Sequence, residues 1–468
     1  MRFIDRDEEL SRLMRLAEAR RGGFAVIWGR RRIGKSELLK EWCRRVGGLY
    51  TVADRSAAVV QRQNFASALA TVIAGFDDVV YPTWKALFDA LSRESRRLRW
   101  QGPLVLDEIP YWVESDAAVV SVMQNWIDAE KRANGLLVAV AGSSQHMMQG
   151  LVLDADSPIY GRADEKIRLP PIAFTFIRDA LGLRSDCDAV RAYAVWGGVP
   201  RYWVAAERYG SDLDAALDDQ VLSPLGVFHE EPTTILQSEM PSAISLKPYL
   251  DVVGLGANRL SEIAARLGIP ATTVAKPLAR LVELGLVKRE VPYGEDEKNG
   301  KRSLYRIDDP LCRLWFRVVA PRRSIFDSAP ASVRKSVWRS QSSGLFAAAW
   351  EDLARASVAS SARLAPLAGK DDYWLPAGRW WHGNEPELDV VSFNGSSTRT
   401  LVGEAKWSDK PFSLAAVRRL AQELLNRPLP AHFPADVSRV LFLSRKAANV
   451  PTVVDGVEIA DAGSLSKC

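Results

Sequence analysis

The chain has 468 residues, and its 62 Lys plus Arg against 57 Asp plus Glu leave a formal net charge of +5. At about 150 residues per domain, this length predicts roughly three domains. Hydrophobic residues at 47% and charged residues at 25% are typical of a soluble globular protein and exclude a disordered, collagen-like or coiled-coil chain. The four cysteines and four histidines are far apart in the sequence, which argues against a cysteine-based zinc site and a disulfide scaffold.

The excess positive charge is local. Residues 1–50 hold 13 basic and 7 acidic residues, so the rest of the chain is close to neutral. A sequence pI near 8.9 therefore does not by itself predict nucleic-acid binding. The charged start is unlike a signal peptide, and the longest apolar runs are far shorter than the ~18 residues that a membrane helix needs. These features predict a cytoplasmic protein without a membrane segment.

The first motif is a glycine-rich loop that follows an apolar run. Residues 24–28 predict a strand, residues 29–36 read GRRRIGKS, and residues 37–45 have helical periodicity. This is the G-x-x-x-x-G-K-S phosphate loop in its required strand–loop–helix context. Such a loop closes its backbone amides around nucleotide phosphates at a helix N-terminus. The sequence therefore predicts a nucleotide site.

Each loop residue has an expected role in this site. The Lys35 side chain is predicted to reach the β- and γ-phosphates, and the Ser36 hydroxyl to ligate Mg²⁺. Three interpretations are open for Arg30, Arg31 and Arg32: they shape the loop, they contact polyanions, or they form a solvated basic rim. The solvated rim is favoured. The residues expected around the nucleotide are Gly29, Arg32, Ile33, Gly34, Lys35, Ser36 and Glu37.

A second motif supplies two carboxylates. Residues 103–108 read PLVLDE, an apolar run typical of a buried parallel strand. The carboxyl end of such a strand lies at the edge where α/β sheets bind ligands. We expect Asp107 to hold the Mg²⁺ shell and Glu108 to act as general base toward the attacking water.

Two further residues are candidates near the γ-phosphate. The apolar run 136–141 predicts another central strand, and Ser143 follows it either as a polar group beside the phosphate or as part of an ordinary turn. Arg162, in the sequence YGR, acts either as an arginine finger on the transferred phosphoryl group or in a structural salt bridge. The spacing leaves both alternatives open for each residue.

The middle of the chain predicts two helical modules and a connector. Residues 171–242 have mostly helical periodicity, which suits a lid after a nucleotide-binding core. Residues 243–310 predict helix, turn, helix and then two strands around a polar loop with Asn299 and Gly300, which is a winged helix-turn-helix. Its charge is only weakly basic, so DNA binding is favoured modestly over docking of another protein. Residues 311–340 are predicted to be a basic linker or short helices.

The last region, residues 341–468, carries a second group of charged residues. Two strands joined by a turn are predicted within residues 387–407. If they pair antiparallel with Asp389 opposite Glu404, then Asp389, Glu404 and Lys406 share one face of the hairpin. This set suits one or two Mg²⁺ ions, or Mn²⁺, with the lysine activating water. A surface salt-bridge ladder is the competing interpretation.

These motifs together resemble a known family. FIDRDEEL, GRRRIGKSELL, LVLDEIPYW, AGSSQHMM, PIYGR and WGGVPRYW are similar to the archaeal-type ATPases, a branch of the P-loop STAND/AAA-like superfamily. The stretch from ELDVV through GEAKW resembles the domain of unknown function often fused to them, whose fold is similar to PD-(D/E)XK nucleases. The resemblance implies ATP with Mg²⁺ at the phosphate loop and a catalytic set of Asp389, Glu404 and Lys406. It also implies that Glu351 is the acidic residue on the first helix of the nuclease fold, where it joins the metal ligands.

The expected architecture is α/β: a P-loop NTPase parallel sheet with a helical lid, a winged helix, and an α/β restriction-endonuclease-like domain. The expected function is ATP hydrolysis coupled to DNA binding and metal-dependent DNA cleavage, in a chain that forms a homo-oligomer. The alternative is an ATP-regulated DNA-binding or signalling NTPase whose tail does not cleave. The expected boundaries are 1–170 for the ATPase core, 171–242 for the lid, 243–310 for the winged helix, 311–340 for the linker and 341–468 for the nuclease-like domain.

Overall fold

The computed structural model of the chain describes residues 3–148, 150–151, 157, 159–239, 241–296, 298, 300–383 and 387–465. The strands within these residues form three sheets, with helices packed around them. The helices are α1 (Asp7–Glu18), α2 (Lys35–Val46), α3 (Ala58–Ala70), α4 (Trp84–Leu98), α5 (Pro110–Ser115), α6 (Val119–Arg132), α7 (Gln145–Met148), α8 (Ile177–Ala180), α9 (Asp186–Trp196), α10 (Pro200–Glu207), α11 (Leu213–Leu217), α12 (Glu231–Glu239), α13 (Lys247–Gly254), α14 (Leu260–Leu267), α15 (Ala271–Glu283), α16 (Pro310–Leu314), α17 (Arg323–Ser328), α18 (Ala331–Ser357), α19 (Leu414–Leu425) and α20 (Ala462–Leu465). The strands are β1 (Gly23–Trp28), β2 (Leu49–Val52), β3 (Leu104–Asp107), β4 (Leu137–Gly142), β5 (Glu165–Arg168), β6 (Val287–Glu290), β7 (Leu304–Ile307), β8 (Gly378–Trp380), β9 (Leu388–Phe393), β10 (Arg399–Lys406), β11 (Asp436–Leu443), β12 (Val453–Val454) and β13 (Val457–Asp461).

The N-terminal sheet has five parallel strands in the order β2-β3-β4-β1-β5. Its strands are almost continuous apolar runs because helices cover both faces, and β1, β3 and β4 are buried along nearly their whole length. The predicted strand that precedes the phosphate loop is β1, and the predicted strand that ends in two carboxylates is β3. Their carboxyl ends, and that of β4 between them, lie at one edge of the sheet.

A helical module follows the sheet, as the periodicity predicts. It contains α8 to α12, and α10 begins at Pro200, two residues after the glycine pair that follows α9. Proline suits the first turn of a helix because it has no N–H to leave unpaired there. Tyr202 and Trp203 on α10 are fully buried. The module therefore packs as part of the ATPase core.

The winged helix has the predicted order of elements. Helices α14 and α15 are joined by a tight turn that begins at Gly268, which has a left-handed φ of 67°. The strands β6 and β7 then pair antiparallel, with Val287 opposite Ile307. Asn299, predicted in the turn between them, lies outside the described residues. The predicted helix-turn-helix with a β-wing is confirmed over the described part of this region.

Residues 311–340 were open between a basic linker and short helices, and the structure shows helices. This segment is helical, and Trp315, Phe316 and Phe326 within it are fully buried. The predicted boundary at residue 340 falls inside the single helix α18. The Pro, Ser and Ala content suggested a connector, but the apolar side chains between the polar residues pack against the lid and the winged helix.

The basic residues of this segment are also less available than their density suggested. Arg323, Arg334 and Arg339 form ion pairs with acidic residues of the helical lid. The Arg334–Asp218 pair is largely buried, with a nitrogen–oxygen distance of 2.9 Å. Much of the predicted positive patch is therefore neutralised within the molecule.

The C-terminal domain is a mixed six-stranded sheet in the order β12-β13-β11-β10-β9-β8, with α18 and α19 packed against it. The strands β9 and β10 pair antiparallel in the register used for the sequence prediction, with Phe393 opposite Thr400 and Val390 opposite Gly403. That register places Asp389 opposite Glu404. The strands β10, β11 and β13 run parallel to one another.

One hydrophobic core joins these modules. Leu38 beneath the phosphate loop, Trp203 in the lid, Leu278 in the winged helix and Trp350 on α18 belong to a single buried cluster. The domains therefore share buried apolar surface, so that a shift at one is transmitted by packing to its neighbours. Among the described helices, none combines the length and the apolar character needed to cross a membrane.

Candidate functional site

The phosphate loop lies between β1 and α2. Gly29 and Gly34 have φ values of 152° and 94°, a backbone region that favours glycine. A Cβ atom at Gly29 would lie 2.8 Å from the carbonyl oxygen of Leu169, so a larger residue would not fit. Burial lowers the pKa of Lys35, whose Nζ donates hydrogen bonds to the Gly29 and Arg30 carbonyls at 2.8 and 3.1 Å. The loop thus curls around a buried lysine ammonium.

The carboxylate of Asp107 lies directly opposite the loop. The Ser36 hydroxyl donates to its Oδ2 at 2.8 Å, and the Tyr50 hydroxyl donates to the same oxygen at 2.6 Å. Burial, followed by the charge of Asp107, raises the pKa of Tyr50, which keeps the phenol protonated as a donor. The contact between Ser36 and Asp107 brings together the two predicted Mg²⁺ ligands.

Glu108 and Ser143 form the adjoining part of the site. The Ser143 hydroxyl donates to one carboxylate oxygen of Glu108 at 2.5 Å, and the Ser143 amide donates to the other at 3.1 Å. Glu108 has a left-handed φ of 54°, a strained conformation for a residue with a side chain. Of the two alternatives for Ser143, the contact that the structure provides is with the predicted general base.

The triple arginine is not a solvated rim. Arg30 pairs with the buried Asp309, with an Nη1–Oδ2 distance of 2.5 Å, and Arg32 pairs with the buried Glu231. Only Arg31 is exposed. The carboxylates belong to α12 and to the residue before α16, so the loop is tied to both the lid and the end of the winged helix.

These two ion pairs belong to a larger buried polar network. Burial alone would raise the pKa of Asp309, but the charge of Arg30 offsets it and holds that pKa below its usual range. The Tyr202 hydroxyl donates to Glu231 at 2.7 Å, and the Arg32 guanidinium lies over the Phe228 ring. Because its guanidinium is already paired, the predicted contact of Arg32 with the nucleotide would require this pair to open.

The predicted arginine finger, Arg162, is wrong for the nucleotide site of its own chain. It precedes β5, and the neighbouring Asp164 amide donates to the Phe24 carbonyl at the start of β1. Arg162 therefore lies at the opposite edge of the sheet from the phosphate loop. Its Nε donates to both carboxylate oxygens of Asp128, at 3.0 and 3.1 Å, which is the salt-bridge alternative.

The residues around the loop fit a nucleotide with a divalent ion. Within the described residues, the buried ammonium of Lys35 donates hydrogen bonds to backbone carbonyls, and Gly29 packs too closely against Leu169 for a side chain. Ser36 and Asp107 offer a hydroxyl and a carboxylate, which are oxygen ligands that Mg²⁺ prefers. Of the remaining predicted contacts, Ile33 is buried beneath the loop and Glu37 is exposed on α2.

The second candidate site lies on the face of the β9–β10 hairpin. Asp389 Oδ2 accepts a hydrogen bond from the Ala405 amide at 3.1 Å. Lys406 Nζ lies 2.5 Å from Glu404 Oε1, and Arg427 pairs with the other oxygen of Glu404. Burial and then the nearby Glu404 carboxylate raise the pKa of Asp389. The predicted face is therefore assembled, with Glu404 paired to two cations and Asp389 bonded to a backbone amide.

The predicted metal set of Glu351, Asp389 and Glu404 is not assembled as ligands of one ion. Within the described parts of the chain, no group of three or more His, Cys, Asp or Glu side chains is placed to hold a metal ion. Glu404 faces Lys406 and Arg427 instead. Burial, and then the charge of Asp389, raise the pKa of Glu351 to about 7, so the carboxylates interact electrostatically without sharing a ligand position. The mutual repulsion of Asp389 and Glu404 still fits a cation between those two residues.

A buried ion network connects this site to the winged helix. Asp352 on α18 pairs with Arg306 of β7 at 2.6 Å, Arg313 after the wing at 3.1 Å and Arg355 at 2.7 Å. Arg355 also donates to the backbone carbonyl of Asp389 at 2.8 Å. Burial would raise the pKa of Asp352, but the three guanidinium groups hold it well below its usual range.

Several residues of both sites were not predicted from the sequence. Tyr50, Glu231 and Asp309 at the nucleotide site, and Arg427 at the hairpin, are single residues outside any motif. Tyr50 reaches Asp107 because its strand β2 pairs with β3, which the structure alone shows. For the other three, the partner lies on an element distant in sequence, and no local pattern marks it.

Comparisons with known families and structures agree with the three parts of the molecule. Residues 3–205 match an ATPase domain found predominantly in Archaea. Residues 250–291 match the IclR helix-turn-helix domain, and residues 315–420 match a family of archaeal and bacterial proteins of unknown function.

Two individual proteins are similar over most of the chain. An uncharacterized protein of Methanocaldococcus jannaschii is 25% identical over 407 residues, which cover 87% of this chain and 88% of that protein. A solved Walker-type ATPase of Pyrococcus abyssi is 18% identical, with a TM-score of 0.53, over 68% of this chain and 96% of that one. The second likeness shows a shared fold. The chain therefore carries an ATPase domain of the P-loop fold, followed by an IclR-type winged helix and a C-terminal domain of a family whose function is unknown.

Proposed function

We propose that the protein is an ATP-hydrolysing switch that controls DNA binding by its winged helix. The observation that carries this proposal is the pair of ion bridges from the phosphate loop, Arg30 to Asp309 and Arg32 to Glu231. Asp309 caps α16 by accepting a hydrogen bond from the Cys312 amide at 2.7 Å, directly after the wing. A movement of the loop when it binds phosphates would therefore pull on the winged helix and the lid.

The residues of the nucleotide site divide the reaction among them. Ser36 and Asp107 would hold Mg²⁺, which would neutralise charge on the phosphates. Lys35 would bind the β- and γ-phosphates by exchanging its hydrogen bonds to the Gly29 and Arg30 carbonyls for phosphate oxygens. Glu108 would orient and deprotonate the attacking water, with Ser143 fixing its carboxylate.

The winged helix is placed to contact DNA from the outside of the molecule. Helix α15 corresponds to the second helix of the helix-turn-helix, and Thr272, Thr273, Ala275 and Lys276 on it are exposed. The two threonine hydroxyls and the Lys276 ammonium on the outer face of this helix suit contacts in a major groove. The weak basic charge of the region predicts modest affinity unless ATP changes the position of the module.

The first experiment measures ATP turnover and DNA binding in the same variants. Lys35→Ala is expected to abolish ATP turnover and any nucleotide dependence of DNA binding, while the exposed Lys40→Ala on α2 retains both. Unchanged turnover in Lys35→Ala would refute the nucleotide site. Normal turnover with nucleotide-independent DNA binding in the wild type would refute the switch. Light scattering with and without nucleotide tests the proposed homo-oligomer.

A second candidate function is metal-dependent cleavage of DNA by the β9–β10 hairpin, in a fold of the restriction-endonuclease type. It is supported by the raised pKa of Asp389 beside Glu404, with Lys406 on the same face. The two carboxylates would hold a divalent ion, which would neutralise charge on the phosphodiester. Lys406 would orient the attacking water or stabilise the developing negative charge.

Cleavage is tested with plasmid DNA in Mg²⁺ or Mn²⁺. Nicking or linearisation by the wild type should require the divalent ion and disappear in Lys406→Ala. Lys410→Ala is the matched control, because Lys410 is an exposed lysine just after the same strand. Equal cleavage by the wild type and Lys406→Ala would refute the nuclease site, and no cleavage by the wild type would favour a tail that only binds.

A further inference from the structure

A cleft of about 460 Å³ separates the winged helix from the long helix α18. One wall is formed by the end of α13 and by Tyr305 and Arg306 of β7. The opposite wall is formed by Gln341, Glu351 and Arg355 of α18. The cleft is distinct from the phosphate loop, since none of its lining residues belongs to the ATPase sheet.

The lining of this cleft carries more arginines than acidic residues. Six arginines line it and Glu351 is its one acidic lining residue; the arginines are Arg306, Arg313, Arg317, Arg322, Arg355 and Arg379. Four of the six pair with carboxylates, which are Glu290, Glu351, Asp352 and Glu387. Four carboxylates thus face these four guanidinium groups, so the excess positive charge of the cleft comes from the other two arginines.

The remaining two arginines are available to a ligand. Within the described residues, Arg317 and Arg322 have no carboxylate at ion-pair distance. Arg322 is held in place because its Nη1 donates weakly to the Arg317 and Val318 carbonyls, at 3.4 and 3.5 Å. Arg317 is exposed. Guanidinium groups of this kind bind phosphate oxygens in a bidentate manner.

The cleft leads to the candidate cleavage site. Glu351 and Arg355 line the cleft, and Arg355 donates to the Asp389 carbonyl at 2.8 Å. A chain of phosphates lying along the arginines would therefore have one of its members next to Asp389.

The shape and polar lining of the cleft favour a single strand. Its volume lies in the range of sites that hold small ligands, about 300–1,000 Å³, so it admits a short stretch of one strand and excludes a duplex. Asn258 and Gln341 offer amide groups to base edges, and Tyr305 offers an aromatic ring for stacking. Arginines for the phosphates, together with amide and aromatic groups for the bases, are the combination used in single-strand recognition.

We propose that the cleft between the winged helix and α18 binds a single strand of DNA and directs it to the hairpin of Asp389, Glu404 and Lys406. Delivery of the strand for cleavage rests on the second candidate function, whereas binding of the strand in the cleft does not. The winged helix would hold the duplex, and the cleft would take one strand that has separated from it.

The test is a binding titration of a short fluorescent single-stranded oligonucleotide and its duplex form, in EDTA, over a series of salt concentrations. The main variant is Arg317→Gln/Arg322→Gln. If it is unstable, Arg317→Gln alone replaces it, because that variant keeps the contacts of Arg322 with backbone carbonyls. Arg132→Gln/Arg184→Gln, which replaces two exposed arginines of the ATPase domain and lid, removes the same charge elsewhere.

The wild type should bind the single strand, and the double variant should lower the slope of log K against log salt by about 1.4, since each phosphate contact to a single strand contributes about 0.7. At about 0.1 M salt this corresponds to roughly 25-fold weaker binding. The control pair should bind as the wild type does. Equal slopes in the wild type and the Arg317→Gln/Arg322→Gln variant, or no single-strand binding by the wild type, would overturn the proposal.

Cleavage assays on the same proteins separate this proposal from the proposed nuclease. If the wild type does not cleave DNA and the Arg317→Gln/Arg322→Gln variant loses single-strand binding, the proposed strand-binding cleft is supported and the proposed nuclease is refuted. If the Arg317→Gln/Arg322→Gln variant cleaves DNA and binds the single strand as well as the wild type does, the proposed strand-binding cleft is refuted and the proposed nuclease is not.

Discussion

Replacement of Asp309 by Asn is expected to destabilise the fold and weaken ATP binding together. In the wild type, the Asp309 carboxylate is 1% exposed and Arg30 is 15% exposed, with their closest atoms 2.5 Å apart. The substitution leaves the Arg30 guanidinium buried beside an uncharged amide. Because Arg30 lies in the phosphate loop, the loop loses its anchor on the residue that caps α16.

The size of the effect follows from the burial of the pair. Removing one partner of a buried ion pair costs about 3–5 kcal/mol, because the other charge stays desolvated without compensation. The Asn side chain can still accept the hydrogen bond from the Cys312 amide, so the cap is retained. We therefore expect the lower end of that range, a decrease of about 3 kcal/mol in the free energy of unfolding.

The assay is a double-mutant cycle with Arg30→Gln, measured by urea unfolding and by ATP titration. The two single variants should each be strongly destabilised, and the double variant should lose much less than their sum, with a coupling energy of about 2–3 kcal/mol. Arg31→Gln is the matched control, because Arg31 is the exposed neighbour in the same loop.

Two results would refute this reasoning. Additive effects in the cycle would mean that the pair contributes no specific interaction. A destabilised Asp309→Asn protein with wild-type ATP affinity would mean that the bridge stabilises the fold but does not hold the phosphate loop in its binding conformation.

Three other substitutions test the remaining parts of the structure. Ser143→Ala removes the hydroxyl that fixes Glu108. We expect ATP turnover to slow by a factor approaching the 10²–10⁴-fold contribution typical of a general base, with ATP affinity unchanged. A fall in ATP affinity without slower turnover would contradict this role. Glu351→Gln is expected to stabilise the protein at high pH. The pKa of Glu351 is raised to about 7 in the fold, so its stability contribution is present below the unfolded pKa near 4.5 and is lost as pH rises through 7. The gain in the free energy of unfolding should reach about 3 kcal/mol at pH 8 and vanish below pH 4. If urea unfolding shows the same gain at every pH, the raised pKa of Glu351 is not its cause. Asp352→Asn leaves three guanidinium groups without their shared carboxylate and should lower the free energy of unfolding by about 3 kcal/mol or more, whereas an effect below about 1 kcal/mol would show that the network is not a buried one.

The nucleotide site was predictable where its residues are consecutive. The loop of residues 29–36 and the two carboxylates after β3 are short motifs whose conformation is set by glycine and by the end of a strand. The hairpin register was predictable for a similar reason, since the turn fixes which residues of β9 and β10 face each other. In these cases the neighbours that matter are close in sequence.

Other features followed the sequence less well because packing overrode composition. Residues 311–340 have the polar content of a linker, yet Trp315 and Phe326 are buried in the core. Arg162 follows the order of motifs expected for a finger, but the direction of β5 places it at the wrong edge of the sheet. The basic charge around residue 330 is paired with the lid, as at Arg334 and Asp218.

The amino-acid sequence was sufficient to establish the presence and order of the phosphate loop, the winged helix and the charged hairpin, because each depends on residues within one short segment. Only the tertiary structure decided which charges are free and which are paired. Arg30 meets Asp309 across 279 positions, and Arg32 meets Glu231 across 199. Such pairs form when domains pack together and exclude water, and burial then makes the pairing of each charge obligatory. The same packing left an arginine-lined cleft beside the hairpin, which no segment of the sequence reveals by itself.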